Sequence, residues 1–278
     1  MFYSRGNRRK HWYYLLSIGR KRLIFLGSVL ALVLIAAITV LATYSMRALK
    51  YDLERVVKIG GVSTLYDCEN QHIASLSGDE HKFVCWEDLP SNLVNAFVAR
   101  EDETFFEHGG VVYSSVIRSL LRNVASMSYE QGASTITMQL TRNVFEMQDK
   151  TLDRKILEAF IARRIEKEYD KDTILTQYLN RIYFGENCYG VGTAAAYYFG
   201  KDVSELSLSE CATLAGLVRG PSIFNPVVSM KKAEEVKHET LNRMRELDYI
   251  TEAQHVEALA EPIVLAGTGM DKERPVAS

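Results

Sequence analysis

The stretch Arg100-Glu101-Asp102-Glu103-Thr104-Phe105-Phe106-Glu107-His108-Gly109-Gly110 packs carboxylates, aromatic rings and glycines into one short span. A glutamate at a helix end and beside aromatic rings can be desolvated enough to take up a proton near neutral pH, the property a general base needs. The plainer reading is a solvated acidic helix end. A second stretch, Gln131-Gly132-Ala133-Ser134-Thr135-Ile136-Thr137-Met138-Gln139-Leu140-Thr141-Arg142-Asn143, places small hydroxyl residues after a glycine at a helix start. Backbone N–H groups and hydroxyls there suit an anionic ligand; equally, Ser134 or Thr135 would simply cap the helix. A third, Arg154-Lys155-Ile156-Leu157-Glu158, sets two cations beside an acid. Arg154 and Glu158 are one helical turn apart. As a surface ion pair they contribute under about 1 kcal/mol. Lining a cleft, the arginine fork and the lysine point charge would instead neutralise a phosphate leaving group.

These residues need a scaffold, and the spacing of apolar residues predicts a helical one. Leu93, Phe97 and Val98 mark a short helix running into Arg100. Val112, Val116, Ile117, Leu120, Leu121 and Val124 predict a further helix with a wide apolar face, and Leu152, Ile156, Leu157, Phe160, Ile161 and Ile165 another over 151–169. Ile174, Leu175, Tyr178 and Leu179 point inward from a helix over 171–180. Ser207 with Glu210 and Thr251 with Gln254 read as capping boxes opening two later helices. Between them 231–247 reads as a charged, solvated helix. Ser63 to Tyr66 and His72 to Leu76, around a polar turn at 67–70, predict a small hairpin. Residues 51–58 read as a helical continuation of the segment before them.

That segment, 23–44, has no charged residue and is long enough to cross a hydrocarbon core of roughly 30 Å. It is longer than the apolar region of a cleaved signal. Arg5, Arg8, Arg9, Lys10, Arg20, Lys21 and Arg22 precede it, so 1–22 is expected in the cytoplasm and the chain from about 45 onward outside it. The net charge of −2 conceals this division. Residues 1–50 hold 9 Lys and Arg and no acid, which leaves 24 basic against 35 acidic residues, a balance of −11, beyond them. Such a domain is a poor nucleic-acid binder. Cys68, Cys85, Cys188 and Cys211 show no CxxC spacing, so no sulfur-held metal is expected. Cys68 and Cys85 are placed to pair in an oxidising compartment, with Cys188 and Cys211 as buried thiols.

In order and spacing, Glu101-Asp102-x-x-Phe105-x-x-His108, Gly132-x-Ser134-Thr135-Ile136-Thr137-x-Gln139-Leu140, Arg154-Lys155-x-x-Glu158, Lys171-Asp172-x-Ile174-Leu175-x-x-Tyr178-Leu179-Asn180 and Ala215-Gly216-Leu217 to Asn225-Pro226 resemble the five motifs of family 51 peptidoglycan glycosyltransferases. The resemblance spans about 63–262. Met138, Arg142 and Thr176 depart from the family pattern, which commonly has glutamine, lysine and glutamate there.

The expected architecture is mainly α, a lysozyme-like helical domain with a small β-hairpin preceded by one transmembrane helix. Its parts are a basic segment 1–22, a membrane helix 23–44, a linker 45–62, a glycosyltransferase domain 63–262 and a tail 263–278. The resemblance implies polymerisation of lipid II into glycan strands with release of undecaprenyl pyrophosphate. Glu101 and Glu158 are the implied catalytic acids. Asp102, Phe105, His108, Ser134, Thr135, Gln139, Arg142, Arg154, Lys155 and Asn180 are implied to bind substrate or shape its site. No protein metal site is implied; a divalent cation, Mg or Mn, would come with the pyrophosphate. The implied partners are lipid II, the growing strand, the membrane and the cell-wall synthesis proteins of division or elongation, at the bacterial cytoplasmic membrane. The chain fits either a monofunctional enzyme or the transglycosylase part of a class A penicillin-binding protein. Two other classes are carried: a lysozyme-like hydrolase, separated by product size, and a silent membrane scaffold, excluded by measurable polymerisation.

Overall fold

A computed structural model describes residues 5–58, 64–66, 72–75, 82–114, 134–149 and 151–267. Two compact units divide the chain, Met1–Tyr51 and Asp52–Ser278. The first is α1 (Arg5–Ala48). Within it Ile24–Ala48 is long and apolar enough to cross a membrane, with mean hydropathy 2.9. Its hydroxyls do not interrupt it, because Thr39 and Thr43 donate back to the carbonyls of Ile35 and Thr39, at 2.8 Å each.

Helix does not continue through 51–58 as the sequence suggests. α1 stops at Ala48, and one short turn, α2 (Glu54–Val57), follows. Asp52 Oδ1 accepts the Glu54 N–H at 3.0 Å, a local bond that starts a new turn and competes with an unbroken helix. The expected hairpin is present: β1 (Thr64–Tyr66) pairs antiparallel with β2 (His72–Ser75). Its turn, the part beyond 114 of the apolar helix expected over 112–124, Cys68 and the tail beyond 267 lie outside the described residues.

The remaining elements are helical: α3 (Ser91–Glu101), α4 (Ile136–Val144), α5 (Leu152–Glu168), α6 (Lys171–Leu179), α7 (Val191–Phe199), α8 (Leu208–Leu217), α9 (Met230–Glu246) and α10 (Glu252–Ala260). Capping sets their starts. Thr151 accepts the Arg154 N–H at 3.2 Å to open α5, and Asp170 accepts the Thr173 N–H at 2.8 Å to open α6 only two residues after α5 ends. Both expected capping boxes form, at Ser207 with Glu210 and at Thr251 with Gln254.

Two packed groups make the core. α8 is buried from Ser209 to Leu217 and lies against α3 and α9, while α4 packs on α5 and α6. Gly216 permits the α8–α9 approach, since a Cβ there would meet the Val236 side chain at 2.8 Å. The groups meet where Phe97 of α3 packs edge-on against Tyr178 of α6 and Phe184, with centroids 6.4 and 6.1 Å away. α9 is not solvated all round: Ala233, Val236, Lys237, Thr240, Leu241 and Met244 are buried. Lys237 is fully enclosed because Glu234 pairs with it and the Glu261 carbonyl accepts from its Nζ at 2.7 Å. Cys188 and Cys211 are buried and Cys85 is exposed. Burial raises the Cys211 thiol far above its ordinary range.

Candidate active site

Glu101 closes α3, and its side chain is 10% exposed. Gln139, on α4, donates its Nε2 to Glu101 Oε2 at 2.9 Å. Glu101 Oε1 is buried with no hydrogen-bond partner among the described residues; the nearest cation is Arg219, whose Nε lies 3.6 Å away on the turn after α8. One carboxylate oxygen is thus anchored and the other is left with its lone pairs open.

The next residue does different work. Asp102 is buried and accepts from the Ile136 N–H at 3.0 Å, so its charge sits on the positive amino end of α4. His108 Nε2 lies 2.9 and 3.0 Å from the two Asp102 oxygens. Because His108 Nδ1 accepts the Gly110 N–H at 2.9 Å, the ring proton belongs on Nε2 and is donated to Asp102. The loop is then pinned to α5. Gly110 has φ +88° and lies so close to α5 that a Cβ would meet Glu166 Cγ at 2.8 Å and the Ala162 carbonyl oxygen at 3.0 Å. Thr135 donates to the Gly110 carbonyl at 2.7 Å and accepts the Met138 N–H at 3.1 Å, which makes it the cap of α4. Lys171 donates to the His108 carbonyl at 2.7 Å, pairs with Glu166 at 2.8 Å and stands 4.4 Å from the centroid of the buried Phe105 ring.

The cationic group is on α5. Glu158 is 1% exposed, and Arg154 pairs with its Oε1 while Lys155 Nζ lies 3.5 Å from its Oε2. The surface-pair reading of Arg154 and Glu158 therefore fails, since this pair is enclosed. Lys155 also donates to the Ser134 hydroxyl. Among the described residues, Arg154 Nε and Glu158 Oε2 are buried without hydrogen-bond partners, so these residues leave polar capacity in the cluster unused. Burial lowers the Lys155 pKa; Glu158 opposes that, and the charges of Arg142 and Arg154 reinforce it.

Arg142 joins the two halves. It sits one helical turn beyond Gln139 on α4 and acts electrostatically on Lys155 and on Tyr178, which also feels Glu101. Arg142 is thus the electrostatic link between the α5 cluster and the Tyr178 side of the candidate site.

Asn180 falls outside it. Its Oδ1 accepts the Val84 N–H and its Nδ2 donates to the Val84 carbonyl, each at 2.9 Å, so both ends of the amide hold the 82–85 segment. Phe105 and Thr135 are likewise occupied with the scaffold. Sequence reasoning passed over Arg219, Glu166, Lys171 and Tyr178 as site residues. The last two stand inside a quoted motif, and that was the available signal. Nothing local marks Arg219, which reaches Glu101 only through the packing of α8 on α3. Of the departures from the family pattern, Met138 packs in a small core with Val111 and Ala162, and Thr176 donates to the Asp172 carbonyl at 2.7 Å. Among the described residues neither side chain hydrogen-bonds Glu101 or Glu158.

The fold thus carries a largely buried glutamate at the end of α3 and an enclosed cationic cluster on α5. The transglycosylase family pattern matches residues 69–245. A protein of Cupriavidus necator named for transglycosylase function is 45% identical over 177 residues, 64% of this chain and 76% of that one. Penicillin-binding protein 1A of Escherichia coli is 43% identical over 199 residues, 72% of this chain but 23% of that protein. That of Aquifex aeolicus is 39% identical over 203 residues, 73% and 28% of the two chains. A crystal structure of penicillin-binding protein 1A from Haemophilus influenzae aligns over 75% of this chain and 22% of that one, with 25% identity and a TM-score of 0.42. The chain belongs to the transglycosylase family, the family 51 glycosyltransferases. It spans about a quarter of the length of the penicillin-binding proteins it matches.

Proposed function

We propose that this chain is a peptidoglycan glycosyltransferase that polymerises lipid-linked disaccharide into glycan strands. The observation that carries the reading is the unequal treatment of the two Glu101 oxygens, one held by Gln139 and one open. Glu101 Oε1 takes the proton from the attacking 4-hydroxyl of the acceptor as its oxygen bonds to the donor's anomeric carbon. The bond from that carbon to phosphate breaks, and its electron pair leaves with undecaprenyl pyrophosphate. Arg154, Lys155 and Arg142 hold and neutralise the departing diphosphate, with the Ser134 hydroxyl beside it. Glu158 keeps these cations in place. Asp102 and His108 set the loop that carries Glu101.

The described residues contain no group of three His, Cys, Asp or Glu that would hold a metal ion, and Glu158 is already bridged by two cations. A resident metal site does not fit these residues. A divalent cation in this proposal arrives on the diphosphate and carries no assigned step. The apolar helix supports a single-pass anchor in the bacterial cytoplasmic membrane, where such a lipid-linked donor resides, and the basic residues before it support a domain on the outer side. Proteins of cell-wall division or elongation are the expected company.

The test is incubation of the full chain in detergent with labelled lipid-linked disaccharide, with Mg or Mn and with chelator, followed by sizing of the product. Long glycan supports the reading. Short fragments cut from pre-formed glycan would make the protein a hydrolase, and no turnover of either substrate would make it a scaffold.

A further inference from the structure

The proposed base is held by an amide, and an amide can be turned around. Gln139 presents Nε2 to Glu101 Oε2; rotated by half a turn it would present a carbonyl oxygen to a carboxylate, and the contact would become repulsive. The carboxylate thus sets the sense of the amide, and its far end is held from the other side. Tyr178, on α6, is fully buried, and its hydroxyl donates to Gln139 Oε1 at 3.2 Å. A phenol in this place is a dependable donor, because burial, reinforced by the negative charge of Glu101, raises its pKa well above the ordinary 10.0. The ring is itself fixed edge-on against Phe97, a residue of the same helix that ends in Glu101.

We propose that Tyr178 is a positioning residue for Glu101: its hydroxyl locks the Gln139 amide so that Nε2 anchors Glu101 Oε2, leaving Oε1 to accept the proton. The relay runs from α6 through α4 to α3 and selects which carboxylate oxygen reacts. It rests on the assignment of Glu101 as base. Without the phenol hydrogen, Gln139 Oε1 loses its tether, the carboxamide drifts from Glu101 Oε2, and the carboxylate swings away from the acceptor hydroxyl.

The experiment is a double-mutant cycle on the full chain in detergent, with labelled lipid-linked disaccharide as substrate and kcat and KM measured separately. Tyr178→Phe should lower kcat about tenfold, the order expected for losing one orienting hydrogen bond, and leave KM within about twofold. Its thermal midpoint should stay close to that of the unsubstituted chain, since the hydroxyl serves Gln139 and not the core. In a Gln139→Leu background the same substitution should cost less than about twofold more, because the element it acts through is gone. Placing 4-aminophenylalanine at position 178 returns an N–H donor and should recover most of the lost kcat. Equal losses in both backgrounds, an unchanged kcat, a loss confined to KM, no recovery, or failure of Tyr178→Phe to fold would each overturn the proposal. Glu101→Gln is run alongside. If it turns over normally, the base assignment itself has failed; if it is inactive while the cycle is additive, only the relay has.

Discussion

Replacing Glu158 by glutamine keeps the side chain's shape and removes the one anion enclosed with Arg154 and Lys155. Breaking a buried pair from one side commonly costs about 3–5 kcal/mol. Arg154 and Lys155 keep 12% and 22% of their side chains exposed, so water recovers part of that, and about 3 kcal/mol is the reasoned loss. For a domain of this size that lowers the unfolding midpoint by roughly 6–12 °C. The same change leaves two cations, Arg154 and Lys155, without their anion, so inorganic pyrophosphate should stabilise Glu158→Gln more than the unsubstituted chain, and at about a hundred times its dissociation constant return roughly 2.7 kcal/mol. The pH dependence has a definite sign. Burial lowers Lys155 from 10.5 and Glu158 is what raises it, so in the variant Lys155 loses its proton at a lower pH and the rescue fades from the alkaline side sooner. Thermal unfolding in detergent, with and without pyrophosphate across pH, measures all three. A midpoint within about 2 °C of the unsubstituted chain, or equal stabilisation of both by pyrophosphate, would refute the picture of an enclosed acid organising an anion site.

Gly110→Ala puts a Cβ against Glu166 and Ala162 at φ +88°, so about 2–3 kcal/mol of stability and most polymerising activity should go together, read by unfolding and product sizing. Asn180→Ala loses two hydrogen bonds to Val84 and should cost about 2 kcal/mol while the folded protein keeps kcat within about twofold; a collapse of kcat without loss of stability would place the amide against substrate. Glu234 lies below its ordinary 4.5: burial opposes this, but its hydrogen bonds to Lys237 and the Ile263 N–H and the charges of Lys237 and His238 outweigh it. The stability it contributes is therefore full above about pH 4.5 and is lost as pH falls through the lowered value, so amide exchange around 261–263 should rise in that acidic window.

Local information carried the helices and their ends. Apolar spacing and a capping hydroxyl three residues before a glutamate or glutamine are short-range facts, and Ser207 and Thr251 behave accordingly. It named candidate polar residues as well, because five motifs stand in order along the chain. It did not carry their environments. One turn of spacing put Arg154 and Glu158 on the same face without saying whether the face was enclosed, and α9 looked solvated because its buried stripe includes Lys237. Side chains with two readings, such as Thr135 as cap or ligand, need their partners on view: its proton goes to the Gly110 carbonyl and it caps α4 through the Met138 N–H. Arg219 was illegible because its partner is far away in sequence and meets it only through helix packing.

The central claim is that Glu101 accepts the sugar proton. The direct measurement is turnover of labelled lipid-linked disaccharide by Glu101→Gln, with substrate binding measured on the same preparation. Binding should survive, and polymerisation should fall by at least about a hundredfold, the minimum expected on losing a positioned base. Polymerisation at the rate of the unsubstituted chain would contradict the account, whatever the fold around it.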